Sequence, residues 1–96
     1  APQALALLNN PFVHKRSETL ASRILTQSAE PKDQIDQAWI QVLQRLPSDI
    51  ERAQASRHLE EQRGSFEEKS PTKREHLALA SLCHVLLNTN EFVYVD

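Results

Sequence analysis

The sequence predicts an all-α fold, a single compact bundle of about five helices with an extended C-terminal tail. Apolar side chains recur at helical spacing in three segments of the chain, and prolines mark the boundaries between them. The chain has one glycine and five prolines, which favours long regular elements with sharp breaks. Its 96 residues are 40% apolar and 25% charged, so we expect residues 1–96 to form one soluble domain.

The N-terminal region predicts two helices separated by an asparagine and a proline. Residues 2–8 favour a short helix. Asn10 and Pro11 are typical of a helix start, because Asn can cap the free amides and Pro fits the first turn. The segment from Pro11 to Gln27 has one apolar face, which predicts an amphipathic helix.

The clearest helical stripe begins after Pro31. Its apolar residues repeat at i, i+3, i+4, i+7, i+8 and i+11, and they are Ile35, Ala38, Trp39, Val42, Leu43 and Leu46. We expect Pro47 to end this helix, since proline disfavours helical geometry in the preceding residue.

A fourth helix is predicted from about Asp49 to Arg63. Ser48 and Glu51 have the spacing of a capping box, in which each side chain accepts a hydrogen bond from the backbone amide of the other residue. Gly64 is expected to stop this helix.

The last helix is predicted to begin at Pro71, to run to about Asn88 and to be central in the bundle. Apolar residues cover nearly its whole circumference and leave one polar line of Ser81, His84 and Asn88. For the core of the bundle we expect Ile24, Trp39, Val42, Leu46, Leu82 and Leu86.

The last six residues alternate in polarity, which predicts an extended tail. With no second strand in the sequence, we expect this tail to pack on the helices, with Phe92 and Tyr94 facing them and the Tyr94 hydroxyl reaching a polar partner or water. The competing hypothesis is a free hook that binds another protein.

Composition excludes several classes of function. The net charge is 11 − 13 = −2, without the basic excess that nucleic-acid binding requires. The longest apolar stretch, Leu77 to Leu87, spans eleven positions and is too short for the roughly 20 residues of a membrane span. Residues 1–30 contain no signal peptide, although a longer parent protein can still be exported.

Neither a metal site nor a haem site is expected in this chain. No two of the histidines stand four residues apart, as a helical zinc pair requires; they are His14, His58, His76 and His84. Haem attachment of the c type needs a second cysteine three residues before Cys83, where the chain has Ala80. Cys83 is therefore predicted to be a core residue. The carboxylate pairs are predicted to lie on solvated surfaces, and they are Asp33 with Asp36, Glu60 with Glu61 and Glu67 with Glu68. The sequence favours a chain without catalytic residues, metal or cofactor.

Three motifs stand in order along the chain. They are LNNPFV at residues 8–13, LQRLP at residues 43–47 with Ser48 and Glu51 behind it, and ASLCHVLLNTNEFVYVD at residues 80–96. In these motifs the sequence resembles the carboxy-terminal domain of unknown function of large planctomycete proteins. That domain commonly follows a cytochrome-c-like module and a second uncharacterised domain.

The C-terminal motif carries the resemblance best. The family pattern there is a leucine-rich helix, L-N-x-x-E-F, and an aromatic or aliphatic pair before a final acidic residue, which residues 87–96 reproduce. The central motif usually has glycine before its arginine, whereas this chain has Gln44 before Arg45.

The resemblance covers essentially the whole chain and implies that it is the C-terminal fragment of a larger exported protein, periplasmic or extracellular, with haem on a separate module. It brings no catalytic residues. It implies that Arg45 holds the turn at Pro47 or pairs with Glu51, and that Asn88 and Glu91 cap the last helix and anchor the tail. The candidate residues for a structural or interaction motif are Arg45, Glu51, His84, Asn88, Glu91, Phe92 and Tyr94.

Three functions are compatible with these observations. The first is a noncatalytic accessory or protein-interaction module that binds upstream domains of the same polypeptide or another protein. The second is a segment that completes the active site or ligand site of a parent enzyme, with His84 or Arg45 as the contributed side chain. The positions of His84 and Arg45 distinguish these two hypotheses. The second hypothesis expects both residues to be exposed on one concave patch, and the first expects each to be engaged separately inside the fold. The third, a carbohydrate- or peptide-binding domain, needs exposed aromatic residues.

Overall fold

The computed structural model describes residues 11–65 and 70–95, the last six of these by their backbone only. Four helices make up this part of the chain: α1 (Pro11–Gln27), α2 (Pro31–Leu43), α3 (Asp49–Ser65) and α4 (Pro71–Val95). The all-α fold is confirmed, with four described helices where about five were predicted. The helix predicted over residues 2–8 lies outside the described residues. Among the helices that the structure describes, none is long and apolar enough to cross a membrane.

Helix α2 ends at Leu43, three residues earlier than predicted. Gln44 adopts the left-handed conformation, with φ 59° and ψ 33°, and its N–H donates to the carbonyls of Trp39 and Ile40 at 3.1 Å each. The chain changes direction at this residue, so Leu46 leaves the apolar stripe of the helix. Leu46 is 58% exposed, and its prediction as a core residue is wrong.

Helix α3 begins at Asp49, as the capping box predicts. The Ser48 N–H donates to Oε1 of Glu51 at 2.8 Å, and the Glu51 N–H donates to Oγ of Ser48 at 3.2 Å. The helix then passes through Gly64 and ends at Ser65, so the predicted stop at Gly64 is wrong. Glycine weakens a helix by only about 1 kcal/mol, and here it takes a helical rather than a left-handed conformation.

Helix α4 continues to Val95, well beyond the predicted end near Asn88. Its first turn is capped by Ser70, whose Oγ accepts from the Lys73 N–H at 3.2 Å. The prediction of an extended tail is wrong for the backbone, because residues 91–95 are helical. No glycine or proline follows Pro71, and each further helical residue adds a hydrogen bond at little cost. The Glu91, Phe92 and Tyr94 side chains lie outside the described residues, so their docking on the helices stays a prediction.

Helix α4 is the centre of the bundle, as its apolar circumference predicts, and it packs against all three other helices. Helices α1 and α3 both run antiparallel to α4. His14 meets His84 and Ser22 meets His76 on α1, whereas His58 meets Ser81 and Arg63 meets Glu75 on α3. Helices α1 and α3 have little direct contact with each other, so a gap stays open between them above α4.

The core lies between α4 and the inward faces of the other helices. Five of the six predicted core residues are buried: Ile24, Trp39, Val42, Leu82 and Leu86. Cys83 is completely buried, which confirms its prediction as a core residue. Small residues, Ala21, Ala38, Ala55, Ala78 and Ala80, contribute a large part of this core. Alanine at these positions lets the backbones of neighbouring helices approach closely.

Candidate functional site

The turn between α2 and α3 is held by an ion pair between Arg45 and Glu51. Nη1 of Arg45 donates to Oε1 of Glu51 and Nη2 donates to Oε2, both at 2.8 Å, which is the two-point geometry of a strong arginine–carboxylate pair. Nη1 also donates to the Leu46 carbonyl at 3.1 Å. Arg45 therefore pairs with Glu51 and also holds the turn before Pro47, so both roles implied by the resemblance are present.

The ion pair keeps the Glu51 carboxylate charged. The hydrogen bonds from the Arg45 side chain, and next the backbone N–H of Ser48, lower the pKa of Glu51 to about 2. The same carboxylate raises the pKa of Arg45. Glu51 is therefore ionised throughout the ordinary pH range, and its oxygens are occupied by hydrogen bonds. Such a carboxylate supports the turn and is poorly placed to exchange protons in catalysis.

Two further ion pairs join α3 to its neighbours. Nε and Nη2 of Arg52 donate to Oδ1 of Asp36 on α2 at 3.2 and 2.9 Å, and Nε of Arg63 lies 2.8 Å from Oε1 of Glu75 on α4. The sequence analysis predicted that Asp36 lies on a solvated surface, and it did not predict the ion pair with Arg52. Sixteen residues separate Asp36 from Arg52, and only the packing angle of two helices brings them together.

Exposed apolar side chains gather at one end of the bundle. Because α1 and α3 are antiparallel to α4, the start of α1, the α2–α3 turn and the C-terminal half of α4 lie at the same end. This end presents Phe12, Leu46, Ile50 and Val85, four of the five large apolar residues described as exposed, and we call it the apolar end. Leu46 and Ile50, the latter 72% exposed, lie within the segment that the Arg45–Glu51 ion pair closes.

All four histidines lie where α4 faces α1 or α3. Nε2 of His58 is hydrogen-bonded to Oγ of Ser81 at 2.9 Å, and Nε2 of His76 is hydrogen-bonded to Oγ of Ser22 at 2.9 Å. The rings of His14 and His84 meet edge to face, with centroids 5.9 Å apart. In the described part of the chain, no three histidine, cysteine, aspartate or glutamate side chains are grouped to hold a metal ion.

A cleft of about 320 Å³ occupies the gap between α1 and α3, and we call it the histidine cleft. Its lining residues are His14, Ser17, Glu18, Gln62, Leu77, Ala80, Ser81 and His84. Nε2 of His84 is buried and has no hydrogen-bond partner among the described residues. Ser81 and His84 belong to the polar line predicted on the last helix. Asn88 continues this line; it is 9% exposed, and its amide also has no partner within the described ranges.

The structure does not bring Arg45 and His84 into one site. Arg45 is engaged by Glu51 at the turn, whereas His84 lines the histidine cleft against His14 of α1. Cys83, next to His84, is completely buried in the core, and burial raises its pKa to about 12. The thiolate is the reactive form of cysteine, so this residue is not a nucleophile.

Two larger depressions of about 500 and 440 Å³ lie at the opposite end, between the last turn of α1 and the first turns of α2 and α4. Three of their polar side chains are already engaged: Ser22 with His76, Gln34 with the Ser28 carbonyl and Glu75 with Arg63. Thr72 and Lys73 also contribute to the lining.

Comparison with known proteins gives one family. The chain matches the sequence model of PSD1, a protein of unknown function (DUF1553), over residues 1–59. No curated protein and no solved structure matches the chain. The resemblance to a family of domains of unknown function is thus confirmed. The match contains the α2–α3 turn, whereas the C-terminal motif at residues 80–96 lies outside it.

Proposed function

The chain belongs to the PSD1 family, whose function is unknown, and we propose that it is a noncatalytic helical module through which a larger exported protein binds a partner. The observation that carries this proposal is the pair of exposed apolar side chains, Leu46 and Ile50, on a turn that is fixed by the Arg45–Glu51 ion pair.

Several contacts hold the turn in its conformation before any partner binds. The ion pair, the capping box and the left-handed Gln44 together fix the backbone from residue 44 to residue 51. A preorganised surface loses less conformational entropy on binding, so more of the contact energy appears as affinity. The buried centre of a protein interface is also more apolar than the rest of a protein surface.

The position of the turn favours a partner at the apolar end. The chain enters α1 at this end, where Phe12 and Val85 are also exposed. In this proposal the partner is an upstream domain of the same polypeptide, and another protein is the alternative partner.

The motifs of the chain support a more specific proposal about the parent. We propose that the parent is a large planctomycete protein with a cytochrome-c-like module ahead of this domain, and that any haem resides on that module. In this proposal the chain is the C-terminal domain and contains no metal or cofactor of its own.

Binding to the upstream part of the parent tests the interaction proposal. The upstream part, produced separately, is titrated with the 96-residue chain by calorimetry. We expect saturable binding that weakens about tenfold or more when Leu46 and Ile50 are both changed to Ser, because each substitution removes apolar area that would contact the partner.

The matched control is Ile40→Ser, which changes an exposed isoleucine within α2, outside residues 44–51. We expect this variant to bind like the unchanged chain, with thermal unfolding recorded for all variants. Absence of binding, or equal binding by the double variant, would contradict the proposal.

A further inference from the structure

We propose that the histidine cleft binds a primary amine or guanidine on a short aliphatic stem, the chemistry of lysine and arginine side chains. The cleft is distinct from the α2–α3 turn, so this inference does not depend on the proposed interaction function.

The cleft exists because α1 and α3 do not close over α4. Their separation leaves the residues of the polar line facing an open space rather than a neighbouring helix. Its volume of about 320 Å³ is near the lower limit of small-molecule sites, about 300–1,000 Å³. A ligand as small as one side chain suits this size.

The charge of the lining favours a cation. No lysine or arginine is among the residues that line the cleft, whereas Glu18 contributes a carboxylate on the α1 wall. The Glu18 side chain is 47% exposed, and its Oε1 lies 3.3 Å from Nε2 of His14. This carboxylate attracts an ammonium or guanidinium group and repels a ligand carboxylate or phosphate.

The uncharged polar groups of the cleft are mostly hydrogen-bond acceptors or can act as acceptors. Gln62 offers an amide oxygen from α3, and Ser81 offers its hydroxyl oxygen from the floor. The His84 ring lines the cleft, but its Nε2 is buried without a described partner, so this atom can accept from a ligand only after the ring turns toward the cleft. A protonated amine or guanidine donates several N–H groups at once and satisfies these acceptors together.

The floor of the cleft also suits an aliphatic stem. Leu77 and Ala80 line it beside the polar residues. Methylene groups of a lysine-like or arginine-like ligand can cover this apolar surface while the charged end reaches Glu18. The cleft therefore combines one negative wall, several acceptors and an apolar floor.

Nuclear magnetic resonance of the histidine ring signals tests the proposal. The probes are pentylamine, the blocked tripeptide acetyl-Gly-Lys-Gly-amide and, as a charge-reversed control, pentanoate. We expect saturable shifts of the His14 and His84 signals with the amine probes and none with pentanoate. Tighter binding of the tripeptide would identify a peptide side chain as the source of the ligand, and tighter binding of pentylamine would identify a free amine.

Two glutamate variants separate binding from folding. Glu18 and Glu61 both form i,i+4 pairs at 3.3 Å, with His14 and Arg57, and both are exposed. We expect Glu18→Gln to weaken amine binding about tenfold, and Glu61→Gln to leave it unchanged. The proposal is overturned by the absence of saturable shifts, by equal binding of pentanoate, or by equal affinities of the two variants.

Discussion

Replacing Gln44 by glycine is expected to stabilise the domain. Gln44 is the described residue other than glycine that has a positive φ, 59°, and it ends α2 in the left-handed conformation. Its side chain is exposed, while its backbone N–H makes the two capping hydrogen bonds. Glycine retains that N–H and removes the Cβ that disfavours the conformation.

The expected gain is a difference between two terms. The left-handed conformation destabilises a residue with a Cβ by roughly 1–2 kcal/mol, and glycine does not have this cost. Glycine in turn makes the unfolded chain more flexible, which costs about 0.4–1 kcal/mol. The free energy of unfolding should therefore rise by about 0.5–1 kcal/mol, which corresponds to about 2–8 °C in Tm for a domain of this size.

Urea unfolding followed by the fluorescence of Trp39 measures this gain, because Trp39 is the single tryptophan and is 5% exposed. The control is Gln41→Gly, which places glycine at an exposed position inside α2. This control should lose about 0.5–1 kcal/mol, since glycine is unfavourable within a helix. A loss of stability for Gln44→Gly, or the same sign for both variants, would refute the argument.

Three further predictions follow from single residues. Gly64→Ala should raise the free energy of unfolding by about 0.5–1 kcal/mol, because Gly64 is helical and an added Cβ meets nothing within 4 Å; a decrease in urea unfolding would contradict this. Cys83, with its pKa raised to about 12, should react with a thiol reagent about 1,000-fold more slowly in the folded than in the unfolded chain, and equal rates would disprove its burial. The pKa of Glu51 is lowered from 4.5 to about 2, so its contribution to stability should be complete above pH 4.5 and disappear as the pH falls towards 2. Glu51→Gln should lack this part of the pH dependence, and an unchanged acid titration of stability in that variant would refute the assignment.

Helix starts were predictable from the sequence, whereas among the four described helices only α1 ends where it was predicted to end, at Gln27. Pro31, Asp49 and Pro71 begin helices as predicted, because proline and the capping box act through residues that are adjacent in sequence. The end of α2 depends on the backbone conformation of the single residue Gln44, which no sequence pattern specifies. The end of α4 was misplaced because polar residues after Leu87 do not by themselves stop a helix.

The candidate site was predictable only where its groups are close in sequence. Glu51 forms an ion pair with Arg45, six residues away, and a capping box with Ser48, three residues away. Both contacts follow from the sequence motif at the turn. The contact between His14 and His84 joins residues that are 70 positions apart in sequence, and it depends on how α1 lies on α4. The sequence places His84 on the polar line of the last helix, but it does not say which helix faces that line.

The polar line on α4 explains why this helix is central and still lines a cleft. A helix in contact with three neighbours buries most of its circumference, and α4 is apolar on those sides. The remaining side lies between α1 and α3, where Ser81 and His84 are half-buried rather than exposed. Apolar residues there would favour closure of the two outer helices over α4, because closure would remove that surface from water. Ser81 and His84, with Glu18 on one wall and Gln62 on the other, instead favour contact with water or with a ligand that carries matching donors, so closure over them is unfavourable.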